Sequence, residues 1–229
     1  MKLDTDIFTD PLFILRKLHR NSIRENSRFL KGRVLDVGCG LKPFRKFVCY
    51  HDYTGLDKDI RVRPDVNASA LNMPFPDNLF DSVICSEVLE HLKEPAVALE
   101  EIRRVLRPGG IAYITCPMCW CLHHEPDDYW RFTMYSLGQL IETNGFDVLK
   151  IERIGGVFSL VGVRLADVWY AAVANLLSFV PRAHAERMAA VLTFPVSALF
   201  YALGAVFDGL DKRDAIGWVA LARKRAPGK

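Results

Sequence analysis

The segment His123-His124-Glu125-Pro126-Asp127-Asp128-Tyr129-Trp130-Arg131-Phe132-Thr133 puts two imidazoles beside carboxylates, an arrangement suited to moving protons. His123 or His124 could take the proton of a weakly acidic hydroxyl, with Asp127 orienting the ring. A second constellation lies upstream. Arg33-Val34-Leu35-Asp36-Val37-Gly38-Cys39-Gly40 reads as a short apolar strand that ends in an acidic residue and a glycine turn. Gly38 and Gly40 let the backbone bend and approach a ligand that side chains would block. Tyr53-Thr54-Gly55-Leu56-Asp57 reads as another short strand ending in a carboxylate, about twenty residues on, where a ribose diol needs an acceptor.

Two nucleotide-like ligands compete for that pair of strands. A nicotinamide cofactor asks for G-x-G-x-x-G opening a helix whose N-terminus faces the pyrophosphate. Gly38-Cys39-Gly40-Leu41-Lys42-Pro43 has no third glycine and meets a proline. Asp36 would repel a diphosphate and attract a cation. S-adenosylmethionine carries a sulfonium and an ammonium and no phosphate, so the electrostatics favour it over a dinucleotide and an oxidoreductase role.

Further motifs follow in order: Met73-Pro74-Phe75-Pro76-Asp77-Asn78-Leu79-Phe80-Asp81, Ser82 through Glu87-Val88-Leu89-Glu90-His91-Leu92, and Glu101 through Leu106-Arg107-Pro108-Gly109-Gly110. With the two strand ends they span roughly 120 residues, and the chain resembles the class I S-adenosylmethionine-dependent methyltransferases with a ubiquinone/menaquinone-methylase-like core. The resemblance implies a Rossmann-like α/β fold, with a seven-stranded, mostly parallel sheet, helices on both faces and an antiparallel last strand. It also implies roles. Gly38 and Gly40 would pass under the methionine portion, Asp36 would orient its ammonium directly or through water, and Asp57 would accept from both ribose hydroxyls. Cys85 and Ser86 would offer backbone contacts to the ammonium. Asn67 or Ser69 would reach the adenine amino group, where many relatives carry an acid. The segment from His123 to Thr133 resembles a His-x-x-Pro-x-Asp-Tyr-x-Arg-Phe-Thr loop of bacterial methyltransferases linked to surface-glycan biosynthesis.

That loop also has a bland reading. Thr133 can cap the next helix, Tyr129 and Trp130 can be core, and Arg131 can fasten to Asp128. Glu87, Glu90 and His91 stand at a helix start beside the cofactor, where His91 reads as a packed, hydrogen-bonded residue. Cys116, Cys119 and Cys121 near His123 and His124 are chemically able to bind zinc, but their spacing is no recognised finger. They read as buried or pocket-lining thiols, and no metal is expected.

Strand-like and helix-like runs alternate, which predicts a parallel sheet covered on both faces. Strands fall near 33–37, 53–57, 64–67, 80–85, 111–116, 146–153 and 217–223. Helices fall within 11–30 and near 42–49, 86–92, 95–106 and 135–144, and Pro108-Gly109-Gly110 breaks the chain before Ile111. At 229 residues, half of them hydrophobic, one domain with an elaboration is expected. Residues 1–156 form a core, 157–210 an apolar helical insertion, and 211–229 the closing strand and tail. The runs Val157–Val180 and Ala189–Phe207 fit a helical cap, an amphipathic platform on a membrane surface, or a shallow membrane hairpin. Net charge is +3, too mild to imply nucleic acid. Met1–Asp6 has neither a signal core nor a transit pattern, which predicts a cytoplasmic protein, with peripheral contact to the inner membrane face left open.

The expectation is thus a methyltransferase acting on a small or lipid-linked acceptor, with a surface-glycan intermediate as the specific case. The alternative is a non-catalytic cofactor-binding regulatory or scaffold subunit. Acceptor identity and oligomeric state are not encoded in recognisable form.

Overall fold

The computed structural model describes Asp10 and residues 12–226; the amino-terminal segment read for targeting, Met1–Asp6, lies outside them. It divides into two units. One comprises Arg20–Arg153 with the strand that begins at Gly217; the other comprises the described residues up to His19 with Ile154–Ile216.

The first unit is built on a seven-stranded sheet. Its strands are β1 (Lys31–Val37), β2 (Cys49–Asp57), β3 (Val66–Asn67), β4 (Phe80–Ser86), β5 (Leu106–Pro117), β6 (Phe146–Ile154) and β7 (Gly217–Lys224). The order is β3-β2-β1-β4-β5-β7-β6. The pairings of β1 with β2 and β4, of β2 with β3 and of β4 with β5 are parallel, whereas β7 runs antiparallel to β5. Central strands covered on both faces carry continuous apolar runs. Val34, Leu35 and Val37 of β1 and Val83, Ile84 and Cys85 of β4 are wholly buried. β2 and β4 flank β1 on opposite sides, so the strand order reverses there, and a crevice opens beyond the carboxyl ends of the strands.

Helix α1 (Phe13–Asn26) precedes β1, and the Ser22 hydroxyl meets the Tyr113 hydroxyl of β5 at 2.9 Å. Helix α2 (Pro95–Val105) starts with proline at its first turn and buries Ala98, Leu99, Ile102 and Val105, one stripe at helical spacing. Its Arg104 gathers the turn that follows β3. The guanidinium donates to the Met73 and Phe75 carbonyls at 2.8 and 2.6 Å and is held by Glu101. Helix α3 (Met134–Thr143) begins in a capping box, in which the Thr133 hydroxyl accepts from the Ser136 amide and Ser136 answers to the Thr133 amide.

Three expectations need correction. The helix expected near 42–49 is only a 3₁₀ turn at Arg45–Phe47, because the turn through Lys42 (φ +55°) and Pro43 and the early start of β2 leave no room. The helix expected near 86–92 is likewise a 3₁₀ turn at Leu89–His91. Glu87 adopts φ +56° ahead of it, and Pro95 disfavours helical backbone at Glu94. Pro108-Gly109-Gly110 does not break the chain; β5 runs through it as a bulge, with Phe80 opposite Leu106 and Ser82 opposite Ile111. Arg107 pairs with Asp81 across that bulge.

The second unit is dominated by α4 (Val157–Leu176) and α5 (Arg182–Phe207). Both are long and apolar enough to cross a membrane by length and composition, and in each only 22% of the most apolar window is buried. Val168, Trp169, Leu176 and Phe179 are among the exposed apolar residues. Asp208, which ends α5, is buried against the first turn of α4. Its Oδ2 accepts from the Gly156 amide at 2.8 Å and the Ser159 hydroxyl at 2.5 Å, and Oδ1 accepts from the Phe158 and Ser159 amides at 2.8 and 3.2 Å. One carboxylate thereby satisfies orphan donors of α4 and meets the positive end of its dipole. Replacing Asp208 by alanine should lower stability by about 2 kcal/mol, as urea unfolding would measure.

Candidate active site

The glycine turn after β1 is shaped by backbone and closed by one carboxylate. Gly38 and Gly40 have φ of +66° and +48°. A side chain at 38 would run into Val88, whereas the space in front of Gly40 is open. The Cys39 amide donates to the Leu56 carbonyl at 3.0 Å, tying the turn to the end of β2. Asp57 completes the tie: Oδ2 accepts from the Gly40 amide and Oδ1 from the Asp59 amide, both at 2.9 Å. A carboxylate has about four acceptor sites, so Asp57 retains capacity for a ligand's hydroxyls.

A cavity of about 650 Å³ opens at this point. Gly38, Gly40, Asp57 and Ser69 line it, and so do Glu87, Val88, His91, His124 and Asp127. Residues from both ends of the sequence reading therefore share one chamber. Not all come together there. Asn67 turns its amide to the Asp57 and Lys58 carbonyls at 2.9 and 3.0 Å, and Cys85 is wholly buried. The Ser86 hydroxyl meets the Thr115 hydroxyl at 2.7 Å, and Thr115 in turn donates to Glu87 at 2.8 Å. Asp36 stands behind the turn, 2% exposed, and accepts from the Tyr53 hydroxyl at 2.5 Å.

The loop after β5 is clamped onto the 3₁₀ turn at Leu89–His91. Amides of Tyr129 and Trp130 donate to the Glu90 carbonyl at 2.8 and 3.3 Å, and the Trp130 indole donates to the Leu92 carbonyl at 2.8 Å. Asp128 fastens the loop internally. It takes both terminal nitrogens of Arg131 at 2.7 Å and the His123 amide at 3.0 Å, and Arg131 holds its carboxyl well below the usual carboxylate range. Beside the His123 ring the carboxylate is Asp128 rather than Asp127. Asp127 turns instead to the Tyr129 hydroxyl at 2.9 Å and Lys58 at 3.3 Å, and both hold its carboxyl low; Asp128 lies 3.3 Å from the His123 ring. The charged, bidentate partner wins the buried acid. His123 is not among the lining residues of the cavity, whereas His124 is.

Three imidazoles cluster here, with ring centroids of His91, His123 and His124 4.7–5.5 Å apart. Burial, assisted by the two neighbouring imidazoles, pushes His91 below its ordinary range. Burial and the charge of Glu87 push Glu90 well up. The thiols of Cys85 and Cys116 are also pushed up by burial, away from the thiolate a metal would want. Tyr53 and Thr115 were not anticipated as site residues, and Asp128 only as a fastener of Arg131; a buried acid such as Asp36 demands a donor, but its identity emerges only from strand pairing.

The methyltransferase domain family matches residues 35–114. An uncharacterized methyltransferase of Schizosaccharomyces pombe is 36% identical over 109 residues, which is 37% of this chain and 38% of that protein. The demethylmenaquinone methyltransferase of Staphylococcus haemolyticus is 46% identical over 184 residues, covering 66% of this chain and 76% of that protein. The chain belongs to the S-adenosylmethionine-dependent methyltransferases. A crystal structure of an S-adenosylmethionine dependent methyltransferase from Mesorhizobium loti shares this methyltransferase fold, at a TM-score of 0.59 and 15% identity, over 92% of this chain and all of that one. The chain spans between 30% and 39% of the length of three of the curated relatives it matches, the Schizosaccharomyces pombe protein among them.

The cofactor of this methyltransferase is S-adenosylmethionine, and the residues present fit it. The glycine turn leaves open space at Gly40, Asp57 keeps acceptor capacity, and the cavity has the size of a nucleoside-scale pocket.

Asp36 yields a pH prediction. Burial raises its carboxyl from 3.8 to about 7; Tyr53 and Lys42 oppose the rise and Asp57 adds to it. The folded protein then holds a proton that the unfolded chain releases, so this contribution is full below pH 4 and lost as pH rises towards 7. Asp36→Asn should flatten that slope by about 4 kcal/mol across the window, measured as urea stability against pH.

Proposed function

We propose that this chain transfers the methyl group of S-adenosylmethionine to a nucleophilic atom, foremost a hydroxyl oxygen, of a small or lipid-linked acceptor. The observation that carries the reading is the single cavity lined both by the Gly38–Gly40 turn with Asp57 and by His124 with Asp127. When bound, the cofactor supplies a methyl group already activated by its sulfonium. The chain contributes alignment and exclusion of water, and alignment is worth about 7–11 kcal/mol in favourable cases.

In this reading Asp57 accepts from the ribose hydroxyls, and Ser69 rather than Asn67 reaches the adenine, because Asn67 is engaged with backbone carbonyls. Asp36 favours the ammonium through the electric field behind the turn, where backbone at Cys85 and Ser86 also lies. His124 takes the proton of a hydroxyl acceptor, since it borders the cavity and His123 does not. Asp127 and Lys58 set the charge beside it.

The finer acceptor class rests on two supports. The loop from His123 to Thr133 resembles that of glycan-linked methyltransferases, and α4 and α5 expose apolar side chains suited to a membrane surface near a lipid-linked substrate. Peripheral contact with the inner face of the membrane belongs to the same proposal, as does the division at 156 and 210 into core, apolar insertion and closing strand.

Calorimetric titration with S-adenosylhomocysteine should show micromolar binding that Asp57→Ala weakens about 100-fold. His124→Ala should keep that binding while turnover on hydroxylated polyprenyl or quinol acceptors falls by about 10²–10⁴. Binding without turnover on any acceptor would favour the scaffold alternative. Flotation with vesicles containing phosphatidylglycerol should carry the protein upward; protein that stays at the bottom would remove the membrane contact.

A further inference from the structure

Glu90 is out of place for a structural residue. It is 0% exposed, and neither carboxylate oxygen has a hydrogen-bond partner. His91 Nε2 stands 3.7 Å from Oε1, beyond hydrogen-bond reach, Glu87 is a like charge, and Arg131 acts on Glu90 only through its field. A buried carboxyl whose two oxygens lack hydrogen-bond partners is costly in either protonation state, and a bound cation is one ligand that would satisfy it.

Ligand atoms of Glu90, His91 and His123 lie within 4.8 Å of one another. Donors bound at about 2.0–2.2 Å to one centre stand roughly 3–3.5 Å apart, so the set closes on an ion with a small movement. The two rings are prepared for it. His91 Nδ1 faces the Asp127 carbonyl at 2.6 Å, and His123 Nδ1 faces the Cys121 carbonyl at 3.1 Å with Asp128 nearby. Carbonyls only accept, so each Nδ1 carries the proton and each Nε2 keeps a free lone pair. Metal-binding histidines are oriented in this way, by donation of the other ring N–H to a carbonyl or carboxylate.

We propose that Glu90, His91 and His123 bind a divalent transition-metal cation at the border of the cofactor cavity. Two imidazoles and one carboxylate, without thiolate, suit zinc, manganese or ferrous iron and leave coordination positions open. His91 also lines the cavity, so an acceptor oxygen is the natural occupant of an open position. That last clause rests on the methyl-transfer reading; the cation site itself does not. The proposal departs from the expectation of no metal, and its ligands come from the turn before α2 and the loop after β5 rather than from Cys116, Cys119 and Cys121.

The test titrates chelator-stripped protein with MnCl₂ and, separately, ZnCl₂, followed by metal analysis after dialysis. One equivalent of each is expected, with affinity reduced about 100-fold or more in Glu90→Gln and in His123→Ala. Cys119→Ser with Cys121→Ser should bind as the parent does. Titration of each variant with S-adenosylhomocysteine reports folding and tests the cofactor reading independently. Absence of stoichiometric Mn²⁺ and Zn²⁺ binding in protein that binds S-adenosylhomocysteine would overturn the cation site alone. Zinc binding lost in the cysteine variant but kept in Glu90→Gln would overturn it too.

Discussion

The Asp57 carboxylate is the tie on which the cavity depends. One oxygen holds the Gly40 amide and the other the Asp59 amide, so the loops after β1 and β2 are joined through a single side chain. Hydrogen bonds to an ionised group are stronger than neutral ones, and here they fix backbone where no side chain could. The position of the glycine turn, and with it the opening towards Ser69 and His124, follows from this tie.

Around that tie the site is rich in carboxyl groups, which a bound cation would draw into the ionised form. Asp36 lies behind the turn, Glu87 at its rim and Glu90 beneath the loop that carries His123 and His124. Lys42 and Arg131 oppose the rise of the carboxyl pKa at Asp36 and Glu90, although each is also paired with another carboxylate, Asp65 and Asp128. A positively charged cofactor gains from such a field, whereas a diphosphate would lose. The same chamber therefore explains both the missing third glycine and the acid that precedes the first.

Strands of this protein are legible because central parallel strands are apolar without interruption, and Val34-Leu35 or Val83-Ile84-Cys85 can hardly be anything else. Short helical stretches are not. The runs near 42–49 and 86–92 have helical composition, but a left-handed residue at Lys42 or Glu87 and the nearness of the next element override it. Within the loop, spacing already offers Asp128 as the partner of Arg131, whereas nothing in composition chooses between the two adjacent histidines. Arg131 makes the choice by taking Asp128, which leaves Asp127 to Lys58 and turns His124 to the cavity. Glu90 is placed beside the cofactor by its position, but that its carboxylate oxygens lack hydrogen-bond partners leaves no trace in composition.

The place of β7 between β5 and β6 bears on how the chain comes off the ribosome. β7 follows α4 and α5 in sequence, so β5 has an open edge, and β6 no neighbour in the sheet, until Gly217–Lys224 has been made. At about 5–20 residues per second the wait lasts several seconds. During it an unpaired, buried-type strand and two long apolar helices are on offer together, which is the state in which chains stick to one another. Nascent-chain chaperones, and any surface able to receive α4 and α5 early, would therefore have their greatest effect on yield in that interval.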